Sequence, residues 1–530
     1  VHHDEHPCSH HRPHSLSHGP GGLSIMASRD STETERKYDT GHTARVPVFA
    51  DIAGVEPAGE PSETFLEAVY YDTAGLELAA RGITLRRRTG GTDQGWHLKL
   101  PAGPDSRREL QAPLGQPDHV PAELLDHLAV FTRGQELSPV ARLSTRRSTY
   151  SLHGSAGEHL ADFTDDRVHA VPLHNLGPVT HWREWELELV HGTPELFTSA
   201  QPALEAAGAV PSAYAAKVAR ALGPSWPEAR TAGPVAPRKK GPVRDVVTAY
   251  VGAQINELLT HDAGVRQGVP DSVHQMRSAA RRLRSVLRTY RTLFKKGAVV
   301  GLERDLQWLG RILGRPRDAE VMRARILANL HALPEAQASG PALGQIEHEL
   351  GTAYNTGYQR ALATLSSARY YRIVTALEHF RDNPLAKSKA SRPARKASAR
   401  LVNKAARRLD RAHKAARKAA GTAEYDTTLH QVRKDAKRLR HAAESATAIN
   451  RKRARVLEKT GHRIQSVLGD HQDTVVAREL LNRLASAPDM AAGTAAVYKA
   501  LTEQEAETAA KTETAYRKLR KKTRGRRLQT

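Results

Sequence analysis

The hydrophobic period of this chain changes once, across the proline-bearing run Gly223–Pro242. Before it, apolar and polar residues mostly alternate; after it, apolar residues recur at helical spacing to the end. A strand-rich body and a helical body must therefore follow one another, joined by a linker that holds Pro224, Pro227, Pro234, Pro237 and Pro242. Charge divides at the same place. Residues 1–240 hold 24 basic and 30 acidic side chains, whereas residues 241–530 hold 56 and 27. That asymmetry points to two modules, one of them facing a polyanion: nucleic acid, an anionic membrane surface or inorganic phosphate chains.

Several classes are excluded. At 39% hydrophobic the chain can bury real cores. A single cysteine, Cys8, rules out a disulfide framework and a cysteine-based zinc site. No run of about 18 apolar residues exists, so no membrane span is expected. No apolar leader segment precedes the first patterned stretch, and the expected setting is reducing and cytoplasmic.

The expected organisation is as follows. Residues 1–30 form a disordered His-rich tail carrying His2, His3, His6, His10 and His11, with translation expected to start at Met26. Residues 31–223 form the strand-rich domain and 224–242 the linker. Residues 243–516 form the helical domain, and 517–530 a basic tail. Expected strands are Thr34–Asp39, Phe65–Asp72, Ile83–Thr89, Gly95–Leu100, Arg107–Ala112, Leu143–Leu152, Glu158–Asp165 and Trp182–Val190. Short helices fit Ala122–Val130, Pro194–Ala207 and Tyr214–Leu222. Many short strands with few crossover helices argue for an antiparallel sheet or barrel.

Alternation sorts the charges. Glu33, Glu35 and Lys37 share one strand face; so do Arg86 and Arg88, His97 and Lys99, and Glu184, Glu186 and Glu188. Leu85, Leu98, Leu100, Leu187 and Leu189 lie on the other side. Such a polar face is commonly plain solvated surface. Three glutamates in a row repel one another, however, unless a divalent cation sits among them, and hard oxygen donors suit Mg²⁺ or Mn²⁺. Rows of arginine and lysine repel likewise, unless a multiply charged anion lies between them. Carboxylates and cations around one lumen describe a site for a metal-bound polyphosphate.

These motifs, with Tyr71-Asp72-Thr73, Leu85-Arg86-Arg87-Arg88 and Trp96-His97-Leu98-Lys99, resemble the CYTH family of triphosphate tunnel enzymes over about Thr32–Gly223. The resemblance implies an eight-stranded antiparallel barrel whose tunnel holds a triphosphate with Mg²⁺ or Mn²⁺. By position, Lys37, Arg86, Arg88, Lys99, Arg147 and Lys217 would grip phosphate oxygens, with Arg146 competing with Arg147 and Arg108 adding a contact. Glu33, Glu35, Glu184, Glu186 and Glu188 would hold metal. An aspartate is expected on the preceding strand: Asp165 fits best, with Asp162 and Asp166 as competitors.

The helical half is duplicated. Val273–Arg284 aligns with Leu429–Arg440, and Leu313-Gly314-Arg315-Pro316-Arg317-Asp318 aligns with Leu468-Gly469-Asp470-His471-Gln472-Asp473. The copies cover about 243–383 and 399–516, divided by the basic, proline-bearing stretch Pro384–Ser398. His274, Arg277, Arg281, Arg284, Arg288 and Arg291 fall on one helix face, and His430, Arg433, Lys437 and Arg440 repeat its first four positions. Met276, Ala280, Leu283, Leu287, Tyr290 and Phe294 form an apolar stripe roughly opposite. A solvated helix face would mix signs; no acid interrupts these stripes before Glu444.

The repeated H-x-x-R-x-x-x-[RK]-[RK]-L-R and L-G-x-x-x-D resemble CHAD domains, the conserved-histidine α-helical family, from about Arg244 to Tyr516. The resemblance implies two pseudo-symmetric four-helix bundles enclosing a basic pocket for inorganic polyphosphate. Its expected contacts are His274, Arg277, Arg281, Arg284, His430, Arg433, Lys434, Lys437 and Arg440. Asp318 and Asp473 are assigned structural roles, and Trp308 to the core.

The expected fold is thus an α+β barrel domain followed by an all-α domain. The expected activity is metal-dependent hydrolysis of inorganic triphosphate (tripolyphosphate), with long-chain polyphosphate bound by the helical half. This order of domains resembles bacterial inorganic triphosphatases, and association with polyphosphate granules is a further expectation. Three alternatives stand beside it. One is a non-catalytic polyphosphate-binding protein. Another is a tunnel acting on thiamine triphosphate or nucleotides, or as an adenylate cyclase. The third is nucleic-acid binding through Lys387–Lys418 and the tail, against which stand 5% aromatic content and no recognisable reading motif.

Overall fold

The structure is a computed structural model that describes residues 29–103, 105–175, 177–228, 235–334, 340–488, 490–523 and 525–528. Cys8, the histidines of the N-terminal segment and Met26 lie outside the described residues, as does 229–234 of the linker. By their contacts the residues form two units. The first comprises residues up to Tyr71, Gly82–Pro121 and Pro139–Ser225; the second takes Asp72–Arg81, Ala122–Ser138 and everything from Trp226. Two segments that the sequence places among the strands therefore group with the helices.

In the first unit, eight strands close into a barrel: β1 (Arg29–Thr40), β2 (Ser62–Asp72), β3 (Thr84–Thr89), β4 (Gly95–Pro101), β5 (Ser106–Ala112), β6 (Ser138–His153), β7 (His159–Pro172) and β8 (Thr180–Leu189). The order is β5-β4-β3-β2-β6-β7-β8-β1, and β1 returns to pair with β5. Strand β1 does so by splitting its length: Arg29–Thr34 pairs with β5 and Glu35–Thr40 with β8, both antiparallel. A two-residue strand, β9 (Val210–Pro211), adds to β1 outside the ring. All eight expected strands are present, most of them longer than their apolar pattern suggested, and β1 already begins at Arg29.

Paired residues in a sheet share a face, so the register assigns every side chain to lumen or exterior. The exterior is apolar where it is covered. Tyr38, Leu152, Phe163, Trp185 and Leu187 pack with Phe49, Ile52 and helix α2 (Glu195–Ala206) through Phe197 and Leu204. With α2, helices α1 (Ala122–Thr132), which groups with the second unit, and α3 (Lys217–Leu222) match the three short helices expected.

The second unit shows the duplication directly. Helices α4 (Val243–Arg266), α5 (Ser272–Tyr290), α6 (Lys296–Ile312), α7 (Gly314–His331) and α8 (Pro341–Leu365) form the first copy, followed by α9 (Ala368–Asp382). Helices α10 (Ala394–Lys418), α11 (Tyr425–Ser445), α12 (Arg451–Ala485) and α13 (Ala492–Thr523) form the second, which begins five residues before the expected 399. Helix α12 is one 35-residue rod where the first copy is interrupted between α6 and α7. Each copy has its own core: Met276, Leu283, Leu287, Tyr290 and Phe294 belong to one, and Val432, Leu439, Ile464 and Tyr516 to the other. A further apolar cluster draws on both copies, joining Ile326 and Ile346 to Leu481 and Tyr498. The buried carboxylate of Glu505 seals that junction with two bonds from Arg325, at 2.8 and 2.6 Å, and one from Asn329 at 2.6 Å.

Two sequence assignments shift. Trp308 is partly buried against its core, with the Arg369 guanidinium 4.1 Å from the ring centre. The stretch from 517 does not leave the bundle at once: α13 continues to Thr523, because Tyr516 is buried and Leu519 packs on the same core.

Helix α12 lies close on α11 at Gly461, where a Cβ would stand 2.8 Å from the Ala436 carbonyl oxygen and 2.9 Å from the Arg440 nitrogen. Gly461→Ala should destabilise the helical unit by about 1–3 kcal/mol through overpacking. Gly344→Ala, on α8 with nothing within 4 Å, should be neutral or stabilising by up to about 1 kcal/mol. Denaturant melts of the two variants, followed by helical circular dichroism, check the contrast.

Candidate functional site

The lumen of the barrel is built by alternation. Register places Glu33 and Arg107 together, Glu35 with Glu188, Lys37 with Glu186, and Asp166 with both Arg147 and Glu184. On the far side Arg86 lies between Tyr70 and His97, and Lys99 between Thr84 and Glu109. Lys217, at the first position of α3, enters the same space. Carboxylates and cations there touch directly. The Lys217 ammonium lies 2.9 Å from Asp166 and 2.7 Å from both Glu184 and Glu186. Arg147 donates to both oxygens of Asp166, at 2.8 and 2.6 Å, and to Glu186 at 3.0 Å. Lys37 donates to Glu35 at 3.0 Å and also to Glu186, while Lys99 donates to Glu33.

These contacts set the protonation states. Burial works against the charges of Asp166 and Glu186, but Arg147 and Lys217, joined at Glu186 by Lys37, hold both carboxyls below their ordinary range. Glu35 is likewise buried and is held down by Lys37 and Lys99. Glu33 goes the other way. Burial, with the Glu109 carboxyl beside it, pushes it up to about 8 against the pull of Lys99. Glu109 keeps its charge: it is buried, but His97 Nδ1 bonds it at 2.8 Å and the shared hydrogen bond with Glu33 favours its ionised form.

In the helical unit, the two basic stripes of α5 and α11 meet. Arg281 is depressed to about 10 by burial and by Arg277, Arg440, Arg282 and Arg433 around it. Lys437 is depressed to about 7 by burial and by Arg281, Arg433, Arg277 and Arg284. Three guanidinium Nε atoms here, on Arg281, Arg433 and Arg440, are buried without a hydrogen-bond partner, as is His274 Nδ1. The repeated glycines serve the stripes in the same way. Arg277 lies 3.5 Å from where a Cβ on Gly314 would stand, and Arg433 lies 3.6 Å from the same point on Gly469. Arg277 pairs with Asp318 at 3.0 Å, so that aspartate steadies an arginine; Asp473 is raised by burial against the pull of Arg433 and Arg325.

Residues 32–220 match the family model of the CYTH domain, and residues 249–482 that of the CHAD domain. The chain belongs to the CYTH and CHAD domain families. An uncharacterized protein of Mycobacterium tuberculosis, found in two strains, is 39% identical over 495 residues, which is 90% of this chain and 93% of the relative. Among solved structures, PptA from Streptomyces chartreusis is similar at a TM-score of 0.46 and 20% identity, over 53% of this chain and 99% of its own. The CHAD domain of the plant Ricinus communis is similar at 0.45 and 24%, over 56% and 97%. The barrel is thus a triphosphate tunnel domain, and the helical unit is a CHAD domain.

Most of the residues selected in sequence for the CYTH tunnel converge in its lumen, but three do not. Asp165 shares the exterior face with Trp185 and holds Arg183 at 2.7 Å through both oxygens. Arg183 in turn bonds the Ala44 carbonyl at 2.6 Å, so this pair pins the loop after β1. Asp166 takes the lumen position instead. The signal was available: Ala161 and Phe163 are apolar exterior residues, and 165 has their parity. Arg146 is exposed and bonds Glu63, at 3.1 and 2.7 Å. Arg108 faces outward with Leu110 and pairs with Asp30 at 2.7 Å. The competitor Asp162 shares the lumen face but bonds Ser151 and His159, both at 2.8 Å. Glu188 stays near Glu35 and Lys99, and burial raises it. In the CHAD domain Lys434 is exposed beside His430, which bonds Gln472 at 2.7 Å. Sequence reasoning passed over Tyr70, whose hydroxyl accepts from Arg86 at 3.4 Å, and also Glu109 and Arg107.

Asp166, Glu184 and Glu186 fit a divalent metal. All three are buried, and one oxygen from each lies within 4.8 Å of the others. Glu184 Oε1 is held by the Lys217 ammonium at 2.7 Å, a cation whose place a metal ion would share or take. Hard, anionic oxygen donors of this kind suit Mg²⁺ or Mn²⁺ over softer ions. Asp166→Asn should weaken Mn²⁺ binding at least tenfold. Asp165→Asn should leave Mn²⁺ affinity in place but cost about 3–5 kcal/mol of stability, because it strands the buried Arg183 charge. Calorimetric Mn²⁺ titration and thermal melts of both variants separate the roles.

Proposed function

We propose that the CYTH barrel hydrolyses inorganic triphosphate with Mg²⁺ or Mn²⁺, and that the CHAD domain binds inorganic polyphosphate. The observation that carries the reading is the lumen itself, where a metal-fitting carboxylate trio borders a set of buried cations with donors to spare. Arg86 Nε and Arg88 Nε are buried without partners, and so is the Thr164 hydroxyl. Such donors are costly unless an anion receives them.

Asp166, Glu184 and Glu186 would hold the metal, with Glu33 and Glu35 completing the acidic wall. The ion would supply neutralisation of phosphate charge and a bound water of lowered pKa. The chain's own cations do the remaining work. Lys37, Lys99, Arg147 and Lys217 exchange their carboxylate partners for phosphate oxygens, while Arg86 and Arg88 turn free N–H groups toward them. Held in line, the terminal phosphorus accepts water, its phosphoanhydride bond breaks, and pyrophosphate and orthophosphate result. No side-chain nucleophile is required.

Phosphate release from tripolyphosphate, ATP, thiamine triphosphate and long-chain polyphosphate, with Mg²⁺, Mn²⁺ or EDTA, tests the barrel. Release should be metal-dependent and greatest from tripolyphosphate. Glu33→Gln with Glu35→Gln should lower it by at least a hundredfold while polyphosphate binding persists. Absence of release from every substrate, with polyphosphate still bound, would make the protein a binding protein.

The CHAD reading makes a proton prediction. An unfolded lysine titrates near 10.4, and Lys437 in the folded domain is lowered to about 7. Between those values the unfolded state binds more protons, so Lys437 makes the ligand-free domain more stable as pH rises. A bound polyanion raises Lys437 again. Polyphosphate binding at pH 8 should therefore take up protons, seen by calorimetry in buffers of different ionisation enthalpy. Lys437→Arg, which cannot release its proton, should reduce the uptake.

A further inference from the structure

A cavity of about 430 Å³ has Glu35 and Lys37, two residues of lumen parity, in its wall. Its walls include Arg107, Gln201, Ser212 and Tyr214. That volume lies in the range of about 300–1,000 Å³ that small ligands occupy. Arg107 is the informative member. It stands opposite Glu33 in the β1–β5 register and so has the lumen parity that its neighbour Arg108 lacks. Its guanidinium bonds two carbonyl oxygens, Gly82 at 3.2 Å and Ala215 at 3.5 Å. Among the described residues it forms no ion pair, whereas Arg36 in the same cavity is paired with Asp105 at 3.3 Å and Arg108 with Asp30. Carbonyl oxygens steer a guanidinium but leave its charge uncompensated, so an anion that reaches Arg107 displaces no carboxylate from it, although Glu35 and Asp105 share the cavity wall.

We propose that this cavity is a subsite for the phosphates that follow the first three of a linear polyphosphate chain, with Arg107 as its cation. The inference rests on the triphosphatase reading and extends its substrate class to chains of four or more phosphates. The lumen cations take the end of the chain. Lys37 stands at the boundary, and Arg107 with the Ser212 and Gln201 side chains receives the next unit. An uncharged organic group would not need an unpaired cation there.

The experiment compares kcat/KM for tripolyphosphate, tetrapolyphosphate and ATP, using the full chain with Mn²⁺. Arg107→Ala should lower the tetrapolyphosphate-to-tripolyphosphate ratio about tenfold, chiefly through KM, and Arg107→Lys should restore part of it. Arg107→Gln keeps donors for the two carbonyls, removes the charge and should behave like Arg107→Ala; it serves if the alanine variant fails to fold. A ratio indifferent to all three substitutions, with tripolyphosphate still cleaved, overturns the subsite and leaves the triphosphatase reading standing. A selective loss on ATP overturns it in favour of an organic group. Wild-type protein that cleaves none of the substrates overturns both.

Discussion

The interleaving of opposite charges across neighbouring strands is the constraint on which the barrel depends. Two like charges 4 Å apart at a protein-like effective dielectric repel by about 4 kcal/mol. A lumen lined by β3 and β4 alone would crowd Arg86, Arg88 and Lys99; one lined by β1 and β8 alone would crowd Glu35, Glu186 and Glu188. Closing the ring through β1 brings the two sets face to face. Lys37 then sits between Glu35 and Glu186, and Lys217 among Asp166, Glu184 and Glu186. A surface that neutralises itself in this way can also exchange partners. Lys37, Lys99, Arg147 and Lys217 each have a carboxylate, a phosphate-like acceptor, at hand.

The helical domain meets the same cost in the opposite way. The facing stripes hold mostly one sign, with Asp318 tied to Arg277. The acids of α11 and its neighbours are directed elsewhere: Asp435 accepts from Arg408 at 2.7 Å and Arg438 at 2.6 Å on the buried side, and Glu444 faces Arg282. What remains around Lys437 is arginine, which does not release protons in proteins. The strain therefore falls on the lysine and on the unpartnered Nε atoms. A site under that strain gains most from a ligand that spreads several negative charges along its length.

Much of this was legible in the residues. Period-two alternation located all eight barrel strands, because their covered exterior is apolar and their lumen charged. The duplication was plain because Val273–Arg284 and Leu429–Arg440 keep the same residue types at the same spacing. The missed details have physical reasons. Asp165 and Asp166 differ by one step of the pleat, and both are acidic and buried, so only their parity with Ala161 and Phe163 separates them. Arg146 and Arg147, and Arg107 and Arg108, pose the same ambiguity. Tyr70 carries no charge to mark it among the strand aromatics, although register places it beside Arg86. The shared cluster of Ile326, Ile346, Leu481 and Tyr498 depends on long helices from two copies meeting, which helical spacing in one segment does not encode.

The strict pleat parity of the lumen also limits how such a barrel can vary over evolutionary time. A one-residue insertion inside β7 would move Asp166 to the exterior and bring its neighbour into the tunnel, exchanging every inward and outward side chain beyond that point. The same holds within β1, where one strand serves two partners and a slip would break both registers. Length changes are tolerable in the turns and at strand ends, or where a bulge absorbs the extra residue, as at the register shift between Leu152 and His153.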